Sequence, residues 1–179
     1  IFMDFGLGPL LTREVAKDES KIDEWYNRVM SIKVILICLS LVGLFLSIFI
    51  GEALFERITR ADTHLVLFAS VIIIFDTITF TFFSVMRALK RLHWEAMSIV
   101  IYQVTILLFG IAALKLELPI VFILGALLAG SLVQTAFMGA VVRLHAKLRF
   151  SFVWEWKTAK QMLVLSAPFA VAGIIFRIN

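Results

Sequence analysis

The stretch Leu65 to Met86, LVLFASVIIIFDTITFTFFSVM, decides the fold. Wound as a helix at 1.5 Å per residue, it reaches about 33 Å, enough to cross a hydrocarbon core about 30 Å thick. It is apolar on every face, whereas a barrel strand alternates over about ten residues, so the run reads as a spanning helix. Counted from His64 to Met86, it is one of four such runs; the others are Val29 to Ile50, Met97 to Leu114 and Pro119 to Val142. A fifth begins near Met162 and is interrupted at Asn179. Residues 1–12, IFMDFGLGPLLT, read as the tail of a preceding helix, with Gly6, Gly8 and Pro9 marking a bend or an exit from the membrane.

Composition agrees with that reading. Hydrophobic residues make up 61% of the chain and charged ones 17%, with a mean hydropathy of +1.00, which excludes an ordinary soluble domain. A start at Ile1 and a stop within an apolar run predict a piece of a longer protein, and the N-terminus carries no cleavable signal pattern. The expected class is an all-α integral membrane protein, a polytopic helical bundle. The net charge of +4 is scattered between the apolar runs and builds no single basic face, so anionic lipid headgroups are the expected partner and nucleic acid is not. Cys38, alone in an apolar run, excludes an intrachain disulfide and reads as helix packing.

Lys and Arg set the direction of the helices. Residues 13–28 carry Arg13, Lys17, Lys21 and Arg28, residues 87–96 carry Arg87, Lys90 and Arg91, and residues 143–161 carry Arg143, Lys147, Arg149, Lys157 and Lys160. The alternate loops hold only Arg57, Arg60 and Lys115. The first set is therefore expected on the cytoplasmic side of the cell membrane. Lys33 is expected to snorkel to that same surface, and Ser20 with Asp23 to form a capping box that starts the next helix. The segment RLHAKLRFSFVWEWKTAKQ interleaves basic residues with Phe150, Phe152, Trp154 and Trp156, as suits the headgroup zone; it is the longest connection and the best boundary between two bundles.

Several residues could carry chemistry. Asp76 lies mid-span, where a charge costs about 2.5–3.5 kcal/mol on insertion scales. At 100° per residue Thr79, Phe83 and Arg87 share its face, and Thr77, Thr81 and Ser84 form a neighbouring hydroxyl stripe. Two readings stay open: a cavity wall with a cation or proton site, or a carboxylate paired with a basic residue on another helix. Ser98, Tyr102 and Thr105 share one side of the third span, facing either the same cavity or another helix. Gln134 reads as interhelical glue; Gly125, Ala126, Ala129 and Gly130, and Ser40, Gly43 and Ser47, read as packing seams. In the fifth run Pro168 and Gly173 are hinge candidates, and Arg177, about 22 Å beyond Met162, must face protein or water. No phosphate loop, dinucleotide fingerprint, zinc motif or hydrolytic triad is present, and His64, His93 and His145 sit at membrane boundaries, so catalysis is not expected.

Three stretches together resemble the polysaccharide-biosynthesis flippases of the multidrug, oligosaccharidyl-lipid and polysaccharide exporter superfamily. They are DFGLGPLLTREVAKD (Asp4 to Asp18), FFSVMRALKRLHWEA (Phe82 to Ala96) and LSAPFAVAGIIFRIN (Leu165 to Asn179). The resemblance covers essentially the whole chain, and multidrug antiporters share the scaffold. It implies a stretch from the end of helix two to the start of helix seven of a two-lobed transporter of 12–14 helices. Residues 1–142 would then be the partial first lobe, 143–161 the inter-lobe linker and 162–179 the start of the second lobe. The implied substrate is a glycan on a polyprenyl phosphate or pyrophosphate, moved by alternating access. Arg177 matches a basic position near the start of the seventh helix, and Arg13 and Arg87 match cytoplasmic loop edges. No cofactor is implied beyond a coupling ion, Na+ or H+, and glycan-assembly proteins are implied partners. The alternatives are a cation-coupled multidrug antiporter using Asp76 and a non-transporting membrane scaffold.

Overall fold

The computed structural model describes the backbone of residues 5–55, 60–119 and 121–178, and the side chains of 5–46, 66–119 and 122–172. Among these, every regular element is helical. The helices are α1 (Leu7–Lys17), α2 (Ile22–Phe55), α3 (Arg60–Ala88), α4 (Leu92–Lys115), α5 (Val121–Val141) and α6 (Trp156–Ile178). A 3-10 turn, Glu19–Lys21, joins α1 to α2, and a π-helical turn, Val142–Ala146, extends α5. Four stretches are long and apolar enough to cross a membrane: Glu19–Leu46, Val66–Ala88, Leu92–Lys115 and Phe122–Ala146.

The bend or exit expected at Gly6, Gly8 and Pro9 falls on a turn at Phe5 and Gly6 that opens a helix; residues 1–4 lie outside the described residues. Gly6 takes the left-handed conformation at φ 70°, and α1 runs on through Gly8 and Pro9, since a proline in the first turn removes only an N–H that has no intrahelical acceptor. The next cap is Asp18 rather than Ser20: its carboxylate accepts from the Ser20 N–H at 3.1 Å and the Ser20 hydroxyl at 2.6 Å. These bonds hold the Asp18 carboxyl below its ordinary value, the Ser20 side-chain bond first among the causes.

Helices α3 and α4 end alike, each with a non-glycine residue in the left-handed region. Lys90 (φ 57°) accompanies a bond from Arg91 N to Met86 O at 2.9 Å, and Glu117 (φ 51°) one from Leu118 N to Ala113 O at 3.0 Å. The first of these turns reverses the chain within three residues, and Arg87 crosses it to chelate the Glu95 carboxylate through Nε and Nη2.

Helix α3 is the hub. It packs against α1, α2, α4 and α5, and from Thr81 to Met86 every residue is buried. Leu7, Leu11 and Val15 of α1, Val29 of α2 and Met138 of α5 close around this half. The outward faces of α2 and α4 stay apolar, with Leu39, Val42, Val100, Leu107 and Leu108 exposed, as lipid-facing residues must be. Cys38 lies on such a face, so it is not the packing residue expected; α3 takes up only one side of α2. Gly43 and Gly125 likewise meet no described neighbour, whereas Gly130 is pressed against Tyr102 and Ile106 of α4.

Residues 147–155 run without regular structure along the N-terminal end of α2 before α6 begins at Trp156, earlier than the apolar run suggests. The Ser151 N–H donates to Asn27 Oδ1 at 2.8 Å, and the Val153 N–H to Ser31 Oγ at 2.9 Å. Helix α6 then leans on α1 at a close crossing: a Cβ on Gly6 would lie 2.6 Å from Ser166 O and 2.7 Å from Ala170 N.

Candidate functional site: two polar seams on one helix

The side of α3 facing α5 carries the carboxylate. Ser131 Oγ donates to Asp76 Oδ1 at 2.8 Å. One turn along, the hydroxyls of Thr79 and Thr135 lie 2.8 Å apart, and Thr135 Oγ1 also approaches the carbonyls of Ser131 at 2.7 Å and Phe75 at 3.2 Å. A hydroxyl has one proton, so Thr135 gives its own to these carbonyls and accepts the proton of Thr79. From α4, the Tyr102 phenol comes within reach of the Ser131 hydroxyl and within electrostatic range of Asp76. Gly130 permits that approach, because a Cβ there would stand 3.1 Å from the tyrosine ring and 2.9 Å from Ile106 Cγ1. Gln134 Nε2 reaches Ser98 O at 3.4 Å, as interhelical glue would, while Ser98 Oγ is buried and has no hydrogen-bond partner.

The other side of α3 faces a cation. Lys33 is only 1% exposed, and its ammonium donates to Thr81 Oγ1 at 2.9 Å; Thr81 in turn donates to Thr77 O at 3.1 Å. Snorkelling therefore does not occur. Helix α2 begins at Ile22, which sets Lys33 about 17 Å along it, and α3 covers the face that Lys33 shares with Tyr26, Val29, Met30 and Ile37, all buried. Sequence reasoning expected Lys33 to snorkel and missed its burial. Its membership of that continuous apolar stripe is the signal that could have found it. Nearby, Thr12 of α1 donates to Ser84 O at 3.1 Å and to Gly8 O at 3.2 Å, tying α1 to α3.

The remaining candidates lie apart from both seams. Arg87 does not continue the Asp76 face inward; it is half exposed and engaged by Glu95. Arg13 is exposed, 3.7 Å from Glu14. His145 packs against Trp94 with ring centroids 4.6 Å apart and planes tilted by 53°. Pro168 lies within α6, beside the crossing with Gly6, and leaves the Val164 carbonyl without its helical donor. Gly173 and Arg177 belong to the α6 backbone, but their side chains, like that of His64, lie outside the described residues. Among the described residues no group of three or more His, Cys, Asp or Glu could hold a metal ion.

Apolar helices of spanning length, packed about a hub that carries a buried ammonium on one side and a carboxylate on the other, define an α-helical multi-pass membrane protein. The chain belongs to the polysaccharide biosynthesis protein family, whose model matches residues 1–179. No curated protein and no solved structure matches it.

Proposed function

We propose that the chain is part of a flippase that carries a polyprenyl-(pyro)phosphate-linked oligosaccharide across the cytoplasmic membrane by alternating access. The family match over the whole chain carries this reading. The buried ammonium of Lys33 supports it, because a charge inside a lipid-facing bundle is costly and marks a polar pathway more often than a packing need. In this reading helices α1 to α5 form part of the first lobe and α6 opens the second. The irregular segment 147–155 then lies within the cytoplasmic linker 143–161, and its exposed Arg149, Phe150, Phe152 and Trp154 rest among lipid headgroups.

Pro168 and Gly173 give α6 two places to bend, and Arg177 is the first choice for a phosphate contact, with Arg13 and Arg87 at the cytoplasmic rim where a headgroup is admitted. The test is complementation of a flippase-deficient strain by the full-length gene. Restored glycan export is the expected result, with loss of export in Arg177→Gln; normal expression and membrane insertion without export would count against the reading.

A further inference from the structure

Where segment 147–155 crosses α2 it leaves a crevice between three elements. Arg28 and Ile32 come from α2, Trp154 and Glu155 from the segment, and Thr158 and Met162 from α6. The wall that carries Trp154 and Glu155 is fixed in place, because Asn27 and Ser31 hold the backbone N–H groups of Ser151 and Val153 just before it. Arg28 Nη2 pairs with Glu24 of its own helix at 2.8 Å, and Glu155 accepts from the Thr158 hydroxyl. Arg28 and Glu155 line the same crevice, yet among the described residues they form no ion pair with each other. Each bond uses only one of the several donors of a guanidinium or acceptor positions of a carboxylate.

We propose that this crevice binds the headgroup of an ethanolamine phospholipid from the surrounding bilayer. Two opposite charges that share a crevice without neutralising one another suit a zwitterion, whose phosphate meets Arg28 and whose primary ammonium donates to Glu155. An anionic glycerol headgroup would set its charge against the Glu155 carboxylate with no cation to offer it. A choline headgroup has the cation but no N–H to donate. The pairing of residues thus selects among headgroups that all carry the same phosphate.

The order of the residues follows the shape of a lipid. Arg28 lies about 9 Å along α2 and Thr158 about 3 Å along α6, and one turn further in stand Ile32 and Met162. Both helices run inward from this end: α1 leads from Gly6 out to the start of α2, and Gly6 meets Ser166 and Ala170, well along α6. Charge therefore gives way to apolar surface in the direction in which a headgroup gives way to its chains. The rings of Trp154 and Trp156, with centroids 5.9 Å apart, suit the level of the bilayer interface. The crevice is shallow, so it fits a ligand already held in the membrane by its own chains better than a soluble one. A lipid seated there touches α2, the segment and α6 at once. The site does not depend on the glycan.

The experiment uses the purified full-length protein in detergent, without glycan, melted during titration with dioleoyl phosphatidylethanolamine, phosphatidylcholine or phosphatidylglycerol. The ethanolamine lipid is expected to raise the melting temperature saturably, and at a lower concentration than the other two. Glu155→Gln keeps an acceptor for Thr158 but loses the charge, and is expected to raise the half-saturating concentration of the ethanolamine lipid about tenfold. Arg28→Gln is expected to do the same through the phosphate. No shift with the ethanolamine lipid, an equal shift with the choline or glycerol lipid, or an unchanged half-saturation in either variant would each overturn the proposal. If Arg28→Gln does not fold, Glu155→Gln decides alone, since its side chain is exposed. Complementation reads glycan export and the melting curves read lipid binding without glycan, so the two proposals fail separately.

Discussion

The two flanks of α3 hold opposite charges by different means. On the α2 side a lysine is wholly buried and its charge is met by a threonine hydroxyl whose own proton goes to the helix backbone. On the α5 side a carboxylate is only partly buried and is met by a serine hydroxyl, with a phenol nearby. The first arrangement is closed: Lys33 and Thr81 have no exposed surface to speak of. The second leaves part of the anion uncovered. One helix thus separates a charge enclosed on every side from a charge left partly open.

Four perturbations break or sharpen that contrast. The largest effect is expected from Gly130→Leu. A side chain there has no room against Tyr102 and Ile106, so the α4 to α5 contact opens at a cost of about 3 kcal/mol, read as the unfolding free energy in mixed detergent. Thr81→Val comes next. It removes an acceptor from a buried ammonium and should cost about 2 kcal/mol in the same assay. The same exchange on the other flank, Thr79→Val, should cost about 1 kcal/mol, because Thr135 keeps its bonds to the Ser131 and Phe75 carbonyls. Equal costs for the two threonines would remove the distinction between the seams.

The smallest change is expected from acid. Bonding to Ser20 lowers the Asp18 pKa in the folded chain, so its cap is complete above the ordinary aspartate value of 3.8 and is lost as the pH falls through the lowered one. The Ser20 amide resonance should follow that titration while the melting temperature stays flat. A flat resonance would place the cap elsewhere.

The spans were legible because lipid imposes a length, and residues inside the bundle need only be apolar for that length to show. The ends were less so. Ser20 and Asp18 are both good caps, and only the backbone turn at Glu19–Lys21 decides between them. The α6 start is hidden because Trp156 to Gln161 are helical yet polar enough to look like linker. The polar side of α3 was legible as a pattern, and Asp76, Thr79 and Tyr102 do come together with Ser131. Its two stripes, Asp76 with Thr79 and Thr77 with Thr81, were legible too; which helix meets each was not, since periodicity places residues on a helix but says nothing of which neighbour faces them. Lys33 shows the same limit in reverse: counting from the span edge gives its depth, whereas its direction comes from α3, a helix whose sequence begins well downstream.

The strap from Lys147 to Glu155 is held by its own backbone, whose N–H groups at Ser151 and Val153 enter side chains of α2. What is recognised is a peptide spacing rather than a particular side chain. Substitutions at 151 and 153 can accumulate without loosening the strap so long as neither becomes proline, while Asn27 and Ser31, one turn apart on the receiving helix, have no such latitude. In this protein the more changeable partner of the contact is the loop, and the memory of where it belongs is kept in the helix.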